Sequence, residues 1–203
     1  MRLAPSAPAF VSRRPPGRHL TSRGIAIVEV LIAIVVFAFG MLALAGLQVN
    51  ALKFQKNAWS RSSAATLTSD ISERMRANMP GVAAGNYVLA GSYLTRSATL
   101  PARSECNPRT TSCTAAQMAQ YDIYSWGQLA RSEMPAGAAT LTGNTTDGFI
   151  VTLMWNDKNM RAADGVTLQS SEQCSVTPSL ISQNCCPRDT PAGIRCINSV
   201  VRP

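Results

Sequence analysis

Between Ile25 and Leu47 the chain reads IAIVEVLIAIVVFAFGMLALAGL, twenty-three residues with a single ionisable group, Glu29. At about 1.5 Å of rise per residue a helix of this length crosses a hydrocarbon core of about 30 Å, so the stretch is read as a membrane segment. The residues before it carry Arg2, Arg13, Arg14, Arg18 and Arg23 and no acid. Basic flanks stay on the cytoplasmic side, which leaves residues 1–24 in the cytoplasm and everything beyond Leu47 outside.

Glu29 separates the kinds of membrane segment. A plain signal anchor gives no reason for an acid inside the apolar run, where near the bilayer centre it would cost about 2.5 to 3.5 kcal/mol. A secretory signal cut after Ala43-Leu44-Ala45 needs a shorter apolar region than this one. A twin-arginine signal fails because Arg13-Arg14 runs into Pro15-Pro16-Gly17. The segment Arg23-Gly24-Ile25-Ala26-Ile27-Val28-Glu29, running into an unbroken apolar helix, resembles the type III signal of type IV pilins, which prepilin peptidase cuts after the glycine. Gly24 is then the last leader residue and Glu29 the fifth residue of the mature chain. There it lies one turn from the new amino group of Ile25, where both i,i+4 geometry and the helix dipole favour an acid.

The leader holds four prolines, Pro5, Pro8, Pro15 and Pro16, and is expected to carry address information only. From Ile25 to Met79 there is no proline, and Pro80-Gly81 is a stop signal, so one helix over 25–79 is expected, membrane-spanning over about 25–47. Ala64, Leu67, Ile71 and Met75 fall on one face of its second half and are read as a seam against a globular head over 80–203. Gly40 and Gly46 interrupt the apolar half, as sites of close helix contact or of local unwinding. Beyond Pro80, strands are expected at Tyr87–Leu94, Gly148–Asn156, Val166–Gln169 and Ile194–Val201. Thr114-Ala115-Ala116-Gln117 is a capping-box pattern that opens a helix through about Glu133, closed by Pro135. Its Met118, Tyr121, Ile123, Tyr124, Trp126 and Leu129 are read as core rather than as a ligand pocket. The fold class is therefore α+β: a long helix on a small antiparallel sheet.

All six cysteines, Cys106, Cys113, Cys174, Cys185, Cys186 and Cys196, lie in the second half of the chain and none forms a C-x-x-C pair. Outside the cytoplasm such a set is a disulfide framework rather than a zinc ribbon or thioredoxin-type site. Cys106 and Cys113 flank the turn-rich Asn107-Pro108-Arg109-Thr110-Thr111-Ser112 and are expected to bond. The other four are expected to form two bridges, with the strained Cys185–Cys186 pairing set aside. Two pairings remain: Cys174–Cys185 with Cys186–Cys196, or Cys174–Cys186 with Cys185–Cys196.

Charge and composition exclude several functions. The formal net charge is +8, but without the five leader arginines fourteen basic residues face eleven acids, too small an excess for a nucleic-acid footprint. The single histidine, His19, is in the leader. A processed chain therefore lacks the imidazole that Ser-His-Asp, Cys-His and HExxH chemistry require. Asp70 and Glu73 are the only close acid pair, on the stalk helix, and Asp157 and Asp164 read as turn residues. A calcium loop at Asp157, Asn159 and Asp164 lacks EF-hand spacing, and a metal-free loop is expected. No cofactor, metal or small-molecule substrate is expected, and a membrane-anchored periplasmic enzyme is the least favoured function.

From Arg23 to about Asp157 the chain resembles the minor type IV pilins, and within them the PilV group. The segments that carry this are GIAIVEVLIAIVVFAFGMLALAGLQ, SDISERMRANMPG, TAAQMAQYDIYSWGQLA and GFIVTLMWND. The resemblance implies cleavage at Gly24 by prepilin peptidase, N-methylation of Ile25, and a head in the periplasm on an inner-membrane helix. It also implies low-copy incorporation into a pilus together with other minor pilins and the major pilin. Glu29 would neutralise the terminal amine of a neighbouring subunit during docking, and the disulfide-tied C-terminal region would form an exposed recognition face. Gly46 would be the twenty-second mature residue, where many major pilins carry a proline. A type II secretion pseudopilin shares the N-terminal motif and is the alternative.

Overall fold

The computed structural model describes residues 26–106, 112–174 and 183–203, which form two compact units, residues 1–47 and 48–203. Gly24, Ile25 and the leader lie outside the described residues, as do most of the turn between Cys106 and Cys113 and part of the segment between Cys174 and Cys185.

The described part of the first unit is helical from Ile27 onward, with Glu29 in the first turn and every side chain exposed. This is the start of α1, Ile27–Ala77, whose 51 residues contain no proline. The mean hydropathy of its most apolar window is 2.8 and none of that window is buried. Apart from the helix's own adjacent backbone, no described atom lies within 4 Å of where a Cβ would stand at Gly40 or Gly46.

In the second unit α1 changes character. Ser60, Ala64, Leu67, Ile71, Ser72 and Met75 are its buried residues, a stripe at three- and four-residue spacing that matches the expected seam. The helix ends at Ala77, two residues before the expected Met79, and Pro80 does not stop it. Pro80 instead sits in the first turn of α2, Met79–Ala83, where its missing N–H costs nothing, and Asn78 caps that turn by accepting from the Gly81 amide at 3.3 Å. α3, Tyr93–Ala98, is capped by Ser92, and α4, Ala115–Glu133, by Thr114 in the expected capping box with Gln117.

Three antiparallel strands complete the head in the order β1 (Ala138–Asn144), β2 (Gly148–Asn156), β3 (Ile194–Val201). β2 and β3 fall where the sequence places them. β1 was not foreseen, and the expected strands at Tyr87–Leu94 and Val166–Gln169 reduce to single bridges, Leu89 with Leu141 and Leu168 with Arg161. Tyr93 and Leu94 are helical instead, because Ser92 accepts from Thr95 and starts α3. Gly143 allows the β1–β2 hairpin to close: its φ is +125°, and a Cβ there would stand 2.2 Å from the Gly148 carbonyl oxygen.

The middle strand is buried on both faces. Phe149, Val151, Leu153 and Trp155 join the main core with Leu67, Ile71 and Met75 of α1 and with Ile123, Trp126 and Ala130 of α4. On the opposite face Met154 packs with Ala138, Tyr93, Ile194, Cys186 and Cys196 in a second, smaller cluster. That cluster exists because the C-terminal tail is tied over the sheet.

The structure selects one of the two open pairings. Cys174 bonds Cys185 and Cys186 bonds Cys196, with Cα–Cα separations of 4.8 and 5.2 Å, and Cys106 bonds Cys113 as expected, at 5.7 Å. Two consecutive short loops result. Replacing Cys186 and Cys196 together by serine is expected to destabilise the head by about 3 kcal/mol, the chain-entropy value for a loop of about ten residues. Removing Cys106 and Cys113 should disturb packing less, since the bridge to Cys196 alone sits in a hydrophobic cluster. Urea unfolding of the full chain in detergent, followed by near-ultraviolet circular dichroism, checks both the magnitude and the order.

Candidate functional site

Two surfaces of the described residues are distinctive. The first is the N-terminal half of α1. Ile27, Leu31, Val35, Phe37, Phe39 and Leu42 are all more than half exposed, and Glu29 is the one ionisable side chain among them. Its amide donates to the Ala26 carbonyl at 2.9 Å, so the acid stands in the first turn, where free backbone N–H groups favour negative charge.

The second is the C-terminal tail on the outer face of the sheet. Thr140, Thr152 and Asn198 are register partners across the three strands, and Thr152 donates to the Asn198 carboxamide at 2.7 Å. Asn198 in turn donates from Nδ2 to the Cys185 carbonyl at 2.8 Å, and its backbone amide donates to the Gln183 carbonyl at 2.8 Å. The amide of Cys174 donates to the Cys186 carbonyl, and that of Cys186 to the Glu172 carbonyl, both at 2.8 Å. The tail is thus held by backbone pairing, two disulfides and a row of polar side chains in which Thr140 and Thr152 are buried and Asn198 half-buried.

What fixes the head on the second half of α1 is a buried polar clamp that sequence reasoning missed. Asp122 of α4 accepts from Arg74 at 3.2 Å and from the Tyr87 hydroxyl at 2.6 Å. Arg74 also donates to Asp70 at 3.0 Å. Asn78 reaches both the Tyr87 hydroxyl, at 3.2 Å, and the Ala115 carbonyl, at 2.8 Å. Nearby, the Trp126 indole donates to the Leu67 carbonyl at 2.9 Å. Burial pushes the Asp122 carboxyl above the usual carboxylate range, against the pull of Tyr87 and Arg74. Burial, reinforced by Asp122, also pushes the Tyr87 hydroxyl up. A signal was present in the sequence: Asp122 lies between Ala119 and Trp126 on the apolar stripe of its helix, where an acid needs a partner.

The four acids that the sequence singles out in the head and its stalk have structural partners. Asp70 and Glu73 pair with Arg74 and Arg76 on their own helix. Asp157 is buried, pairs with Arg195 and accepts from the Asn159 amide, while Asp164 accepts from the Val166 and Thr167 amides, so both are turn residues as expected. Among the described residues no three His, Cys, Asp or Glu side chains converge on a metal position. Of Met118, Tyr121, Ile123, Tyr124, Trp126 and Leu129, the core reading holds for Ile123 and Trp126 only, and Met118 is half-buried. Tyr121 and Tyr124 are half-buried and Leu129 is exposed, because α4 turns a single face to the core. They line a shallow groove of about 340 Å³, with the Arg103 guanidinium 5.9 Å above the Tyr124 ring.

Residues 46–124 match the family model Tt1218-like, described as Type IV pilin Tt1218. The match supports a type IV pilin, and it shares no residue with the motif at Arg23–Glu29 that carries the N-terminal resemblance. Every residue of the clamp, from Asp70 to Asp122, lies inside it, whereas β1, β2, β3 and the tail bridges lie beyond it. No curated protein and no solved structure matches the chain significantly.

Asp122→Ala is expected to destabilise the head by about 3 kcal/mol, because it leaves the Arg74 and Tyr87 donors without their buried acceptor. The pH dependence has a definite sign. A carboxyl whose folded pKa is raised contributes stability that is full below its unfolded pKa and is lost as pH rises through the folded value. Relative to Asp122→Asn, the native chain should therefore gain stability as pH falls from neutral to below about 4. Thermal melts of the two proteins across that range read the difference directly.

Proposed function

We propose that this chain is a minor pilin of the PilV type, which helps prime type IV pilus assembly and enters the pilus at low copy. The observation that carries the reading is the N-terminal half of α1: an uninterrupted apolar helix, exposed on every side, with one acid in its first turn. Such a surface needs a bilayer before assembly and neighbouring helices after it. The open space at Gly40 and Gly46 suits close approach by another helix, since no side chain among the described residues fills it.

In this reading residues 1–24 are a cytoplasmic leader removed by prepilin peptidase, residues 25–79 the assembly helix, and residues 80–203 a periplasmic head. Ile25 becomes the N-methylated terminus. Glu29 pairs with the terminal amine of an adjacent subunit, an ion pair that gains strength in a low-dielectric helix bundle and cannot form in the isolated chain. The partners are the peptidase, other minor pilins, the major pilin and the inner membrane. The role is structural rather than enzymatic and needs no cofactor. The tail tied by Cys174–Cys185 and Cys186–Cys196 supplies a face for contacts between subunits.

Two experiments test this. Gly24→Ala should leave most of the protein uncut, and N-terminal sequencing of the native protein from its membrane should begin at Ile25; a mature terminus at Gly46 refutes the pilin reading. Glu29→Val should insert at least as well as the native chain, because it removes the only charge in the apolar run. Its absence from sheared pili would support the amine pairing, and its presence at the normal level would remove that role from Glu29.

A further inference from the structure

The sixteen arginines and three lysines of this chain are not interchangeable, and two of the three lysines stand together. Lys53 and Lys56 lie six and nine residues past Leu47 on α1, with Arg61 beyond them, and all three are exposed. No acid occurs between Glu29 and Asp70, so these cations have no partner of opposite charge within reach along their own helix. Interleaved with them are Leu52, Phe54 and Trp59, exposed by 64%, 75% and 62%. The third lysine, Lys158, is exposed in the loop after β2.

An aromatic and aliphatic set alternating with flexible point charges, immediately outside an apolar span, has the chemistry of a bilayer interface. At about 1.5 Å per residue Lys53 and Lys56 stand about 9 and 14 Å past Leu47, and a lysine stem lies back along apolar surface while its ammonium reaches a phosphate. We infer that Lys53 and Lys56, flanked by Leu52 and Phe54, form a binding girdle for anionic phospholipid headgroups on the outer leaflet of the membrane that α1 spans. The charge complementarity fixes the occupant: two cations with no counter-charge along their own helix face a surface of phosphates. The inference rests on the membrane reading of residues 25–47. It adds a consequence for assembly, because a subunit leaving the bilayer for a pilus must give these contacts up.

The test uses the full chain reconstituted in vesicles of phosphatidylcholine alone, or of phosphatidylcholine with one third phosphatidylglycerol. A neutral amine-acylating reagent is applied briefly, and labelling at each lysine is read by peptide mass spectrometry, with Lys158 as the internal reference. With phosphatidylglycerol, labelling of Lys53 and Lys56 relative to Lys158 should fall about fivefold, the effect of one favourable cation–headgroup contact. Equal labelling in both vesicles overturns the girdle and leaves these side chains to a protein neighbour or to water. Protein that is extracted from the vesicles by alkaline carbonate fails the membrane reading itself, and the girdle with it.

Discussion

The head depends on one stripe of α1. Leu67, Ile71 and Met75 are almost fully buried, and each apolar side chain of that size contributes about 1.5 to 3 kcal/mol when taken out of water. The same helix offers no such stripe before Ser60, where nearly every described side chain is exposed. One proline-free helix therefore carries two kinds of surface, uniformly apolar and exposed at first, then a narrow seam covered by the head. The rest of the head is arranged to cover that seam, from α4 with its Trp126 indole on the Leu67 carbonyl to the inner face of the sheet.

An apolar seam is weakly directional, since Leu, Ile and Met slide over one another at little cost. The clamp removes that freedom. Arg74 is fixed between Asp70 on its own helix and Asp122 on α4, and Tyr87 closes the arrangement by donating to Asp122. Burial works against the Arg74 charge, but the two carboxylates outweigh it and hold its pKa above the usual value. A cluster of this kind contributes less net stability than its hydrogen bonds suggest, because several polar groups lose water. Its consequence is specificity of register between α1 and α4, and all of its residues lie within the stretch that matches the pilin family model.

The elements that the sequence disclosed are those whose signal is local. The capping box at Thr114–Gln117, the β-branched and aromatic run of β2 and the spacing of Ala64, Leu67, Ile71 and Met75 are each written within a few residues. β1 was not legible because AATLTGN carries little β propensity; it is a strand because β2 needs a hydrogen-bonding partner and Gly143 permits the return. Tyr87–Leu94 failed for the opposite reason, since a good β composition was overridden by Ser92 capping a helix and by Gly91 at a φ of +149°. The polar clamp joins residues 52 positions apart at its extremes, and no local pattern announces such a pairing.

The tail shows how covalent ties replace a core. Residues beyond Gln169 supply few large apolar side chains, and the outer face of the sheet would otherwise leave Met154 and Ala138 open to water. Cys186 is drawn onto Cys196 of β3, so the bridge itself becomes part of the apolar cover over Met154. Cys174–Cys185 then closes the preceding loop, whose backbone is already engaged by Asn198. With Cys185 and Cys186 adjacent, the two bridges diverge from one point of the chain, one toward the loop and one into the sheet. The alternative crossed pairing would send Cys185 to β3 and leave Cys186 outside the cluster it now fills. The choice between pairings is thus made by which cysteine faces Met154, a property of strand register rather than of loop length.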